Sequence, residues 1–204
     1  MVKIKICGIT NMADAAAAVR AGADALGFVF AESPRRISPD AAAEIVSTLP
    51  PFITTVGVFA GESADSICRI MDAAGLDAVQ LHGYEGEFAW PHEPRWRIIR
   101  GIRVRREEDI RAAAELKCSA LLLDTHVEGA LGGTGRTFNW NLAILAKETK
   151  KPVILAGGLS PENAGEAVRK VHPYAVDVSS GVEASPGIKD HRKIEEFIKN
   201  VRES

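Results

Sequence analysis

The chain has 204 residues, of which 46% are hydrophobic and 25% are charged, and its formal net charge is -2. These values exclude an intrinsically disordered chain and a basic protein that coats nucleic acid. No apolar stretch approaches the ~20 residues that a membrane span needs, and the N-terminus lacks the pattern of a signal peptide. We therefore expect one cytoplasmic domain over residues 1–204, with neither a membrane nor a nucleic-acid partner.

Eight compact apolar runs, each followed by a segment of helical character, recur at intervals of roughly 25 residues. The predicted strands cover residues 3–7, 25–30, 53–60, 78–83, 96–104, 120–126, 152–158 and 174–181. Continuous runs of Val, Ile and Leu are typical of a parallel sheet covered by helices. Parallel neighbours need crossover connections, so we predict a helix after every strand, including a segment around residues 85–90 after the fourth. Asn11 is expected to cap the first helix, and Gly22 to end it.

Eight strand-then-helix units predict an α/β fold, a single-domain (β/α)8 TIM barrel. An open doubly wound sheet is the alternative, but no GxGxxG fingerprint follows the first strand. In such barrels the chemistry gathers where the strands end, because the loops there form the mouth above a packed interior. Candidate functional residues are therefore those at the ends of the predicted strands.

Two of these strand ends carry glycines and serines in a pattern that suits phosphate. Gly157 and Gly158 end the seventh strand, and Ser179, Ser180 and Gly181 end the eighth. Glycines let backbone N–H groups approach an anion, serines add hydroxyl donors, and a following helix contributes its positive end. Either stretch alone could be a tight turn. Their joint occurrence after strands seven and eight favours a phosphate site.

An aspartate and a cysteine end two further strands. Asp124 follows three leucines and either caps a turn or faces the mouth, where partial desolvation would raise its pKa toward that of a useful acid. Cys7 closes the first strand. A free cysteine is often only a small buried hydrophobe, as we expect of Cys68 and Cys118, but the position of Cys7 aims its thiol at the same mouth as Asp124.

Two loops complete the list of candidates. Arg35 and Arg36 follow the second strand, and although a doubled arginine is usually solvated surface, at least one of them could make a two-pronged contact with a substrate carboxylate at the barrel mouth. Residues 129–135 carry four glycines, which suits either a flap that closes over a ligand or a flexible connector. The three cysteines and five histidines form no CxxC or HExxH pattern, so we expect neither disulfides nor a metal site.

These residues together resemble the phosphoribosylanthranilate isomerase family of tryptophan biosynthesis. The matching motifs run in order along the whole chain: KICGIT, GFVF followed by SPRRIS, VGVF, VQLHG, LLLD, GGTGRTFNW, GGLSPEN and DVSSGVEASPGIKD. The resemblance implies an Amadori rearrangement of N-(5-phosphoribosyl)anthranilate to 1-(2-carboxyphenylamino)-1-deoxyribulose 5-phosphate without a cofactor. One departure is Asn139, which stands where the family usually has aspartate before Trp140. Both residues cap helices well, so little effect is expected.

The resemblance also implies roles for individual residues. Asp124 matches the acid that protonates the ribose ring oxygen as the ring opens to a Schiff base. Cys7 matches the base that removes the proton from C2. Arg35 matches the arginine near the anthranilate carboxylate, whereas Arg36 is expected to lie on the surface.

The remaining matched residues are expected to bind substrate. His82 and Asp177 would line the mouth in supporting roles. The residues matching the phosphate cup are Gly157, Gly158, Ser179, Ser180 and Gly181. The expected partner is a small phosphorylated substrate, and the chain would be a monomer or a homodimer.

Two other functions are compatible with such a barrel. The first is the related isomerisation of histidine biosynthesis, or a dual-substrate enzyme that serves both pathways. Those enzymes resemble this fold but use aspartate as the base, so Cys7 argues against them. The second is a non-catalytic barrel that binds sugar phosphates, which would lack an acid or a base, and here both Cys7 and Asp124 are present.

Overall fold

The computed structural model describes residues 1–84, 86–124 and 140–204 and forms a closed barrel of eight parallel strands. The strands are β1 (Lys3–Cys7), β2 (Ala25–Val29), β3 (Thr54–Phe59), β4 (Ala78–His82), β5 (Arg97–Arg103), β6 (Ala120–Asp124), β7 (Val153–Leu155) and β8 (Ala175–Val178). Each strand pairs with its sequence neighbours, and β1 pairs with both β2 and β8, which closes the barrel. The predicted (β/α)8 barrel is therefore confirmed, and the open sheet is wrong.

Seven α-helices accompany these strands in the described part of the chain. They are α1 (Met12–Ala21), α2 (Pro39–Val46), α3 (Ala64–Ala74), α4 (Glu107–Ala114), α5 (Trp140–Ala146), α6 (Pro161–Val171) and α7 (His191–Arg202). The Asn11 side chain accepts a hydrogen bond from Asp14 N, and Gly22 ends α1 in the left-handed region with a φ of 100°. Both end signals of α1 are thus confirmed. Within the described ranges, no helix combines the length and apolar character that a membrane span requires.

The helix predicted around residues 85–90 is wrong for the described residues of that segment, which are irregular between β4 and β5. Gly83 and Gly86 have φ values of 72° and 65°, outside the right-handed helical region. Pro91 and Pro94 follow soon after, so the run between the last glycine and the first proline is too short for a stable helix. Edge-to-face aromatic rings with neighbouring centroids 4.8 Å apart pack there instead: Tyr84, Phe88 and Trp90.

The barrel interior contains both apolar and polar side chains. One apolar cluster consists of Val56, Ala78, Ile99, Ala120, Leu122, Ile154, Ala156 and Ala175. Three buried polar side chains also lie on the strands: Lys5, Gln80 and Asp177. At the C-terminal end of β1, Cys7 packs with Val29, Ala31 and Val58. Buried polar groups therefore lie below the mouth of the barrel, close to Cys7.

A short antiparallel hairpin follows β8, formed by β9 (Glu183–Ser185) and β10 (Ile188–Lys189). It is anchored by the buried carboxylate of Asp14 on α1, which accepts from Lys189 N at 2.9 Å and lies 2.8 Å from His191 Nε2. This hairpin is not among the elements predicted from the sequence. It places Glu183 and Lys189 beside the barrel mouth.

Candidate active site

Three predicted site residues from separate parts of the chain lie around Gly8. They are Cys7, Arg35 and Ser179. This glycine follows β1 with a φ of 77°, in the left-handed region that disfavours larger residues. A Cβ built on Gly8 would lie 2.7 Å from Arg35 Cδ and 3.1 Å from Ser179 Oγ. The structure therefore brings Cys7, the loop after β2 and the end of β8 together, as the sequence predicts. Gly8 is required there because a side chain would displace Arg35.

Cys7 lies at the C-terminal end of β1 with its side chain buried. Burial raises the pKa of its thiol, and the negative charge of Asp177 raises that pKa further. The ammonium groups of Lys5 and Lys189 act in the opposite direction. The thiol is thus held mainly protonated by its surroundings, and nearby positive charge limits the cost of forming the thiolate.

A chain of hydrogen bonds crosses the barrel interior beneath the thiol. The Lys5 ammonium donates to Asp177 Oδ1 at 2.8 Å and to Gln80 Oε1 at 3.0 Å. The side-chain amide of Gln80 lies in turn 2.5 Å from His82 Nε2. The chain connects β1, β8 and β4 and includes two predicted mouth residues, His82 and Asp177.

Lys5 remains protonated in this network. Burial alone would lower its pKa, but the charge of Asp177 and the contact with Cys7 together raise that pKa above its ordinary value. A buried ammonium is therefore a permanent positive charge below the mouth.

His82 and Asp124 lie on the same side of the mouth. Both line one cavity together with Gly101, and a Cβ at Gly101 would come within 2.4 Å of the His82 ring, so glycine leaves the space for the imidazole. Burial lowers the pKa of His82, the charge of Lys5 lowers it further, and Asp124 and Asp177 oppose this. His82 is therefore neutral near pH 7, while Asp124 ends β6 partly exposed to the cavity.

Arg35 is fixed by a two-pronged ion pair with Glu183 of the hairpin. Its Nε and Nη2 donate to the two carboxylate oxygens, each at 2.7 Å. Glu183 also accepts from Lys189 Nζ at 3.0 Å, and Lys189 Nζ donates to Ser179 O at 3.1 Å. Arg35 thus makes a two-pronged contact with a carboxylate of the protein, and its contact with a substrate carboxylate stays a prediction. Arg36 is exposed as expected.

The predicted phosphate residues form two loops in direct contact. Gly157 and Gly158, with φ values of 79° and 67°, follow β7 and lead into α6. Gly181 lies in a 3-10 turn after β8, and a Cβ there would come within 1.9 Å of Leu159 O. Because no side chain fits between the loops, their backbones form one continuous rim next to the positive end of α6. The rim includes Ser179 and Ser180.

Four side chains in or beside the site were assigned no role from the sequence: Lys5, Gln80, Glu183 and Lys189. The first of them had a signal. Lys5 lies two residues before Cys7 in a strand, so strict alternation places both on the same face. Glu183 and Lys189 had no comparable signal, because only the hairpin fold brings them to Arg35.

Some predictions fall outside the described residues or away from the mouth. The glycine-rich segment 129–135 and Asn139 lie outside the residues that the structure describes. Cys68 and Cys118 are half-buried free thiols on α3 and before β6. Among the described residues, no cluster of histidine, cysteine, aspartate or glutamate has the size that a metal site needs.

Comparison with known proteins identifies similar chains over the whole length. A family model described as N-(5'phosphoribosyl)anthranilate (PRA) isomerase matches residues 4–200. The N-(5'-phosphoribosyl)anthranilate isomerase of Pelobacter propionicus is 53% identical over 100% of this chain and 97% of its own.

Solved structures also resemble this chain over its whole length. Phosphoribosyl anthranilate isomerase from Thermotoga maritima superposes with a TM-score of 0.86 at 42% identity, over 100% of both chains. Monomers generated from that dimeric enzyme superpose with a TM-score of 0.83 at 40% identity, again over 100% of both chains. A phosphoribosyl anthranilate isomerase in complex with reduced 1-(o-carboxyphenylamino)-1-deoxyribulose 5-phosphate has the same TM-score of 0.83, 40% identity and full coverage of both chains.

Proposed function

This chain belongs to the N-(5'-phosphoribosyl)anthranilate isomerase family, and from that premise we propose how its residues divide the work of the reaction. It is an isomerase of tryptophan biosynthesis that rearranges the aminoaldose N-(5'-phosphoribosyl)anthranilate to 1-(2-carboxyphenylamino)-1-deoxyribulose 5-phosphate. The observation that carries the assignment of residues is the convergence of Cys7, Arg35 and Ser179 around Gly8.

Asp124 acts as the general acid and Cys7 as the general base. Asp124 donates a proton to the ribose ring oxygen, and the C1–O bond breaks to give an open-chain Schiff base. Cys7 then removes the C2 proton, and the electrons of that C–H bond form the C1–C2 double bond while the nitrogen loses its positive charge. The resulting enolamine tautomerises to the ketone. The two groups stand on β6 and β1, so they can act on different atoms of one substrate.

The raised pKa of Cys7 is compatible with its role as base. The protonated Schiff base withdraws electrons from C2 and so acidifies the C2 proton, which reduces the basicity that the thiolate must supply. A thiolate is nonetheless the active form, since the thiol has no lone pair of comparable basicity. The positive groups near Cys7 support its formation.

The two ends of the substrate bind to different residues of the mouth. Arg35, held by Glu183 through Nε and Nη2, directs its remaining N–H groups toward the anthranilate carboxylate. His82 and Asp177 line the space between the ends. The phosphate binds to the rim of residues matched from the family: Gly157, Gly158, Ser179, Ser180 and Gly181.

The proposal extends to the chain as a whole. Residues 1–204 form one catalytic domain that acts without a cofactor on a small phosphorylated substrate in the cytoplasm. The chain is a monomer or a homodimer, and the dimeric state of the Thermotoga maritima enzyme supports the second possibility.

Replacing Cys7 or Asp124 tests the assignment of Cys7 as the general base and Asp124 as the general acid. We expect Cys7→Ser and Asp124→Asn each to lower kcat roughly 10²–10⁴-fold, because each removes one proton-transfer group. Binding of the reduced product analogue should persist, as measured by calorimetry. Cys68→Ser, a half-buried thiol on α3, is the matched control and should retain normal turnover.

Full activity in either variant would refute the assigned role. Assaying the corresponding aminoaldose of histidine biosynthesis in parallel tests the substrate. We expect no comparable turnover, and equal turnover of both substrates would identify a dual-substrate enzyme.

A further inference from the structure

Lys5 and Cys7 lie on the same inward face of β1. They are two residues apart in a strand, so their side chains point in the same direction. Both are buried, with 4% and 7% of their surface exposed. Burying an ammonium is costly unless it is paired. Other interior positions of the barrel carry apolar side chains, so packing alone does not require a lysine here.

Space between Lys5 and Cys7 is kept open by Gly27 on β2. A Cβ built there would lie 2.7 Å from Cys7 Sγ and 3.1 Å from Lys5 Nζ. The ammonium and the sulfur thus lie within about 6 Å of each other, the range in which an opposite charge markedly favours a charged group. Any side chain at Gly27 would push against both groups.

The orientation of the Lys5 ammonium is fixed by two acceptors. An ammonium has three N–H groups. Asp177 Oδ1 takes one at 2.8 Å and Gln80 Oε1 takes another at 3.0 Å. The positive charge of Lys5 favours the ionised form of Cys7. The acceptors on β8 and β4 therefore hold the charge in place below the sulfur.

Four charged groups face Cys7 from the elements around it. They are Lys5 on β1, Asp177 on β8, Lys189 on β10 and Arg35 after β2. Arg35 and Lys189 both bind Glu183. Among the positive groups, Lys5 has the largest influence on the thiol.

We propose that Lys5 is a positioning residue of the reaction, whose ammonium, held by Asp177 and Gln80, stabilises the thiolate of Cys7. The inference rests on the proposed role of Cys7 as base. Lys5 neither gives nor takes a proton in this step. The C2 proton moves to the sulfur, and the ammonium only offsets the negative charge that the sulfur carries beforehand.

A pH titration of Cys7 in Lys5 variants tests this inference. The ultraviolet absorbance of the thiolate is followed against pH, and the signal of the Cys7→Ser counterpart of each variant is subtracted. We expect Lys5→Met to raise the titration midpoint by about one unit or more, with a tenfold or greater loss of kcat/KM at neutral pH. This loss should diminish as the pH is raised. Lys5→Arg, which keeps the positive charge, should recover part of the lost kcat/KM.

Lys3→Met is the matched control, since Lys3 lies on the same strand but is exposed and pairs with Asp24. It should leave the titration and the turnover unchanged. Because Lys5→Met leaves Asp177 without its ion pair, the double variant Lys5→Met/Asp177→Asn keeps the interior neutral if the single variant does not fold. Gly27→Ala probes the same contact without removing either charge and should also raise the midpoint.

The outcomes separate this inference from the proposed function. If a folded Lys5→Met titrates Cys7 as the wild type does, or the double variant titrates it as Asp177→Asn alone does, the inference about Lys5 is wrong. If neither of these folds, an unchanged midpoint in Gly27→Ala overturns it. If Cys7→Ser keeps full turnover, the proposed base is wrong, whereas a shifted midpoint would still show the effect of Lys5 on the thiol.

Discussion

At the scale of single residues, Glu183 determines how Arg35 is presented to the mouth. Its buried carboxylate accepts hydrogen bonds from Arg35 Nε and Nη2 and from the ammonium of Lys189. Burial alone would raise the pKa of Glu183, but the hydrogen bonds from these two cations outweigh it and lower that pKa. The carboxylate therefore stays ionised well into the acid range. Arg35 is held in one orientation before any ligand arrives.

Glu183→Gln should weaken substrate binding more than it slows the chemistry. The amide keeps the size of the side chain but loses the charge and one of the two acceptors for Arg35. Hydrogen bonds to charged groups contribute about 1.5–3 kcal/mol, so we expect KM to rise roughly tenfold or more. Steady-state kinetics measure the split between KM and kcat. Glu195→Gln, an exposed position on α7, serves as the control, and an unchanged KM for Glu183→Gln would contradict the role of Glu183.

The residues of the site differ in how far a sequence can predict them. Cys7 and Asp124 end their strands, and the barrel brings all strand ends to one mouth, so position alone indicates them. Lys5 follows from alternation along β1 once burial is considered. Glu183 depends on a hairpin with only two residues between its short strands, for which local sequence carries a weak signal.

At the scale of elements, the rim for phosphate depends on contact between the loops after β7 and β8. That contact is made by backbone, with Gly181 against Leu159 O. Neither partner is a flexible side chain that could move aside. The two loops are therefore one structural unit, although more than 20 residues separate them in the sequence.

Gly181→Ala should separate the loops and impair phosphate binding. The added methyl group would lie 1.9 Å from Leu159 O, so backbone must shift. Overpacking of this kind costs about 1–3 kcal/mol in stability. We expect a lower Tm in thermal unfolding and a weaker affinity for inorganic phosphate by calorimetry. An unchanged phosphate affinity would show that this rim does not bind the phosphate.

Helices were predicted correctly where the sequence contains residues that start and end a helix. The prediction failed after β4, where a helix was expected only because the other strands are followed by one. Helix α1 begins and ends as Asn11 and Gly22 indicate. After β4, a helix was expected because the other strands have one, but Pro91 and Pro94 follow two glycines too closely. The backbone conformations that glycine and proline impose therefore outweighed the repeating strand–helix pattern.

At the scale of the whole molecule, Asp24 ties the first strand of the barrel to the last helix. Its carboxylate accepts from Lys3 Nζ at 2.8 Å, from Ile4 N at 2.9 Å and from Arg202 Nη2 at 2.8 Å. Arg202 also donates to Val2 O at 2.8 Å. Burial would raise the pKa of Asp24, but these hydrogen bonds lower it.

Stability should fall in acid as Asp24 becomes protonated. Because its pKa is lower in the folded chain than in the unfolded one, near ~3.9, its contribution is complete above that pH and is lost as the pH falls through the folded value. Glu183 acts in the same direction. We expect Asp24→Asn to lower the free energy of unfolding by about 1–3 kcal/mol at pH 7. Below about pH 4 the difference from wild type should shrink.

Denaturant unfolding at a series of pH values measures this dependence. Asp40→Asn, an exposed carboxylate on α2, is the control and should follow the wild-type curve closely. A constant difference between Asp24→Asn and wild type across the acid range would refute the link to ionisation.

The alternation along β1 couples the closure of the barrel to the assembly of its chemistry. Lys5 and Cys7 point inward, whereas Ile4 and Ile6 are fully buried in the apolar core shared with α1 and α7. A slip of one residue against β2 and β8 would turn every side chain to the opposite face. It would place an ammonium among apolar helix side chains, at a cost of several kcal/mol. Lys5 therefore disfavours closure of the barrel in a shifted register. When β1 pairs in the correct register, Lys5 and Cys7 already lie in the barrel interior.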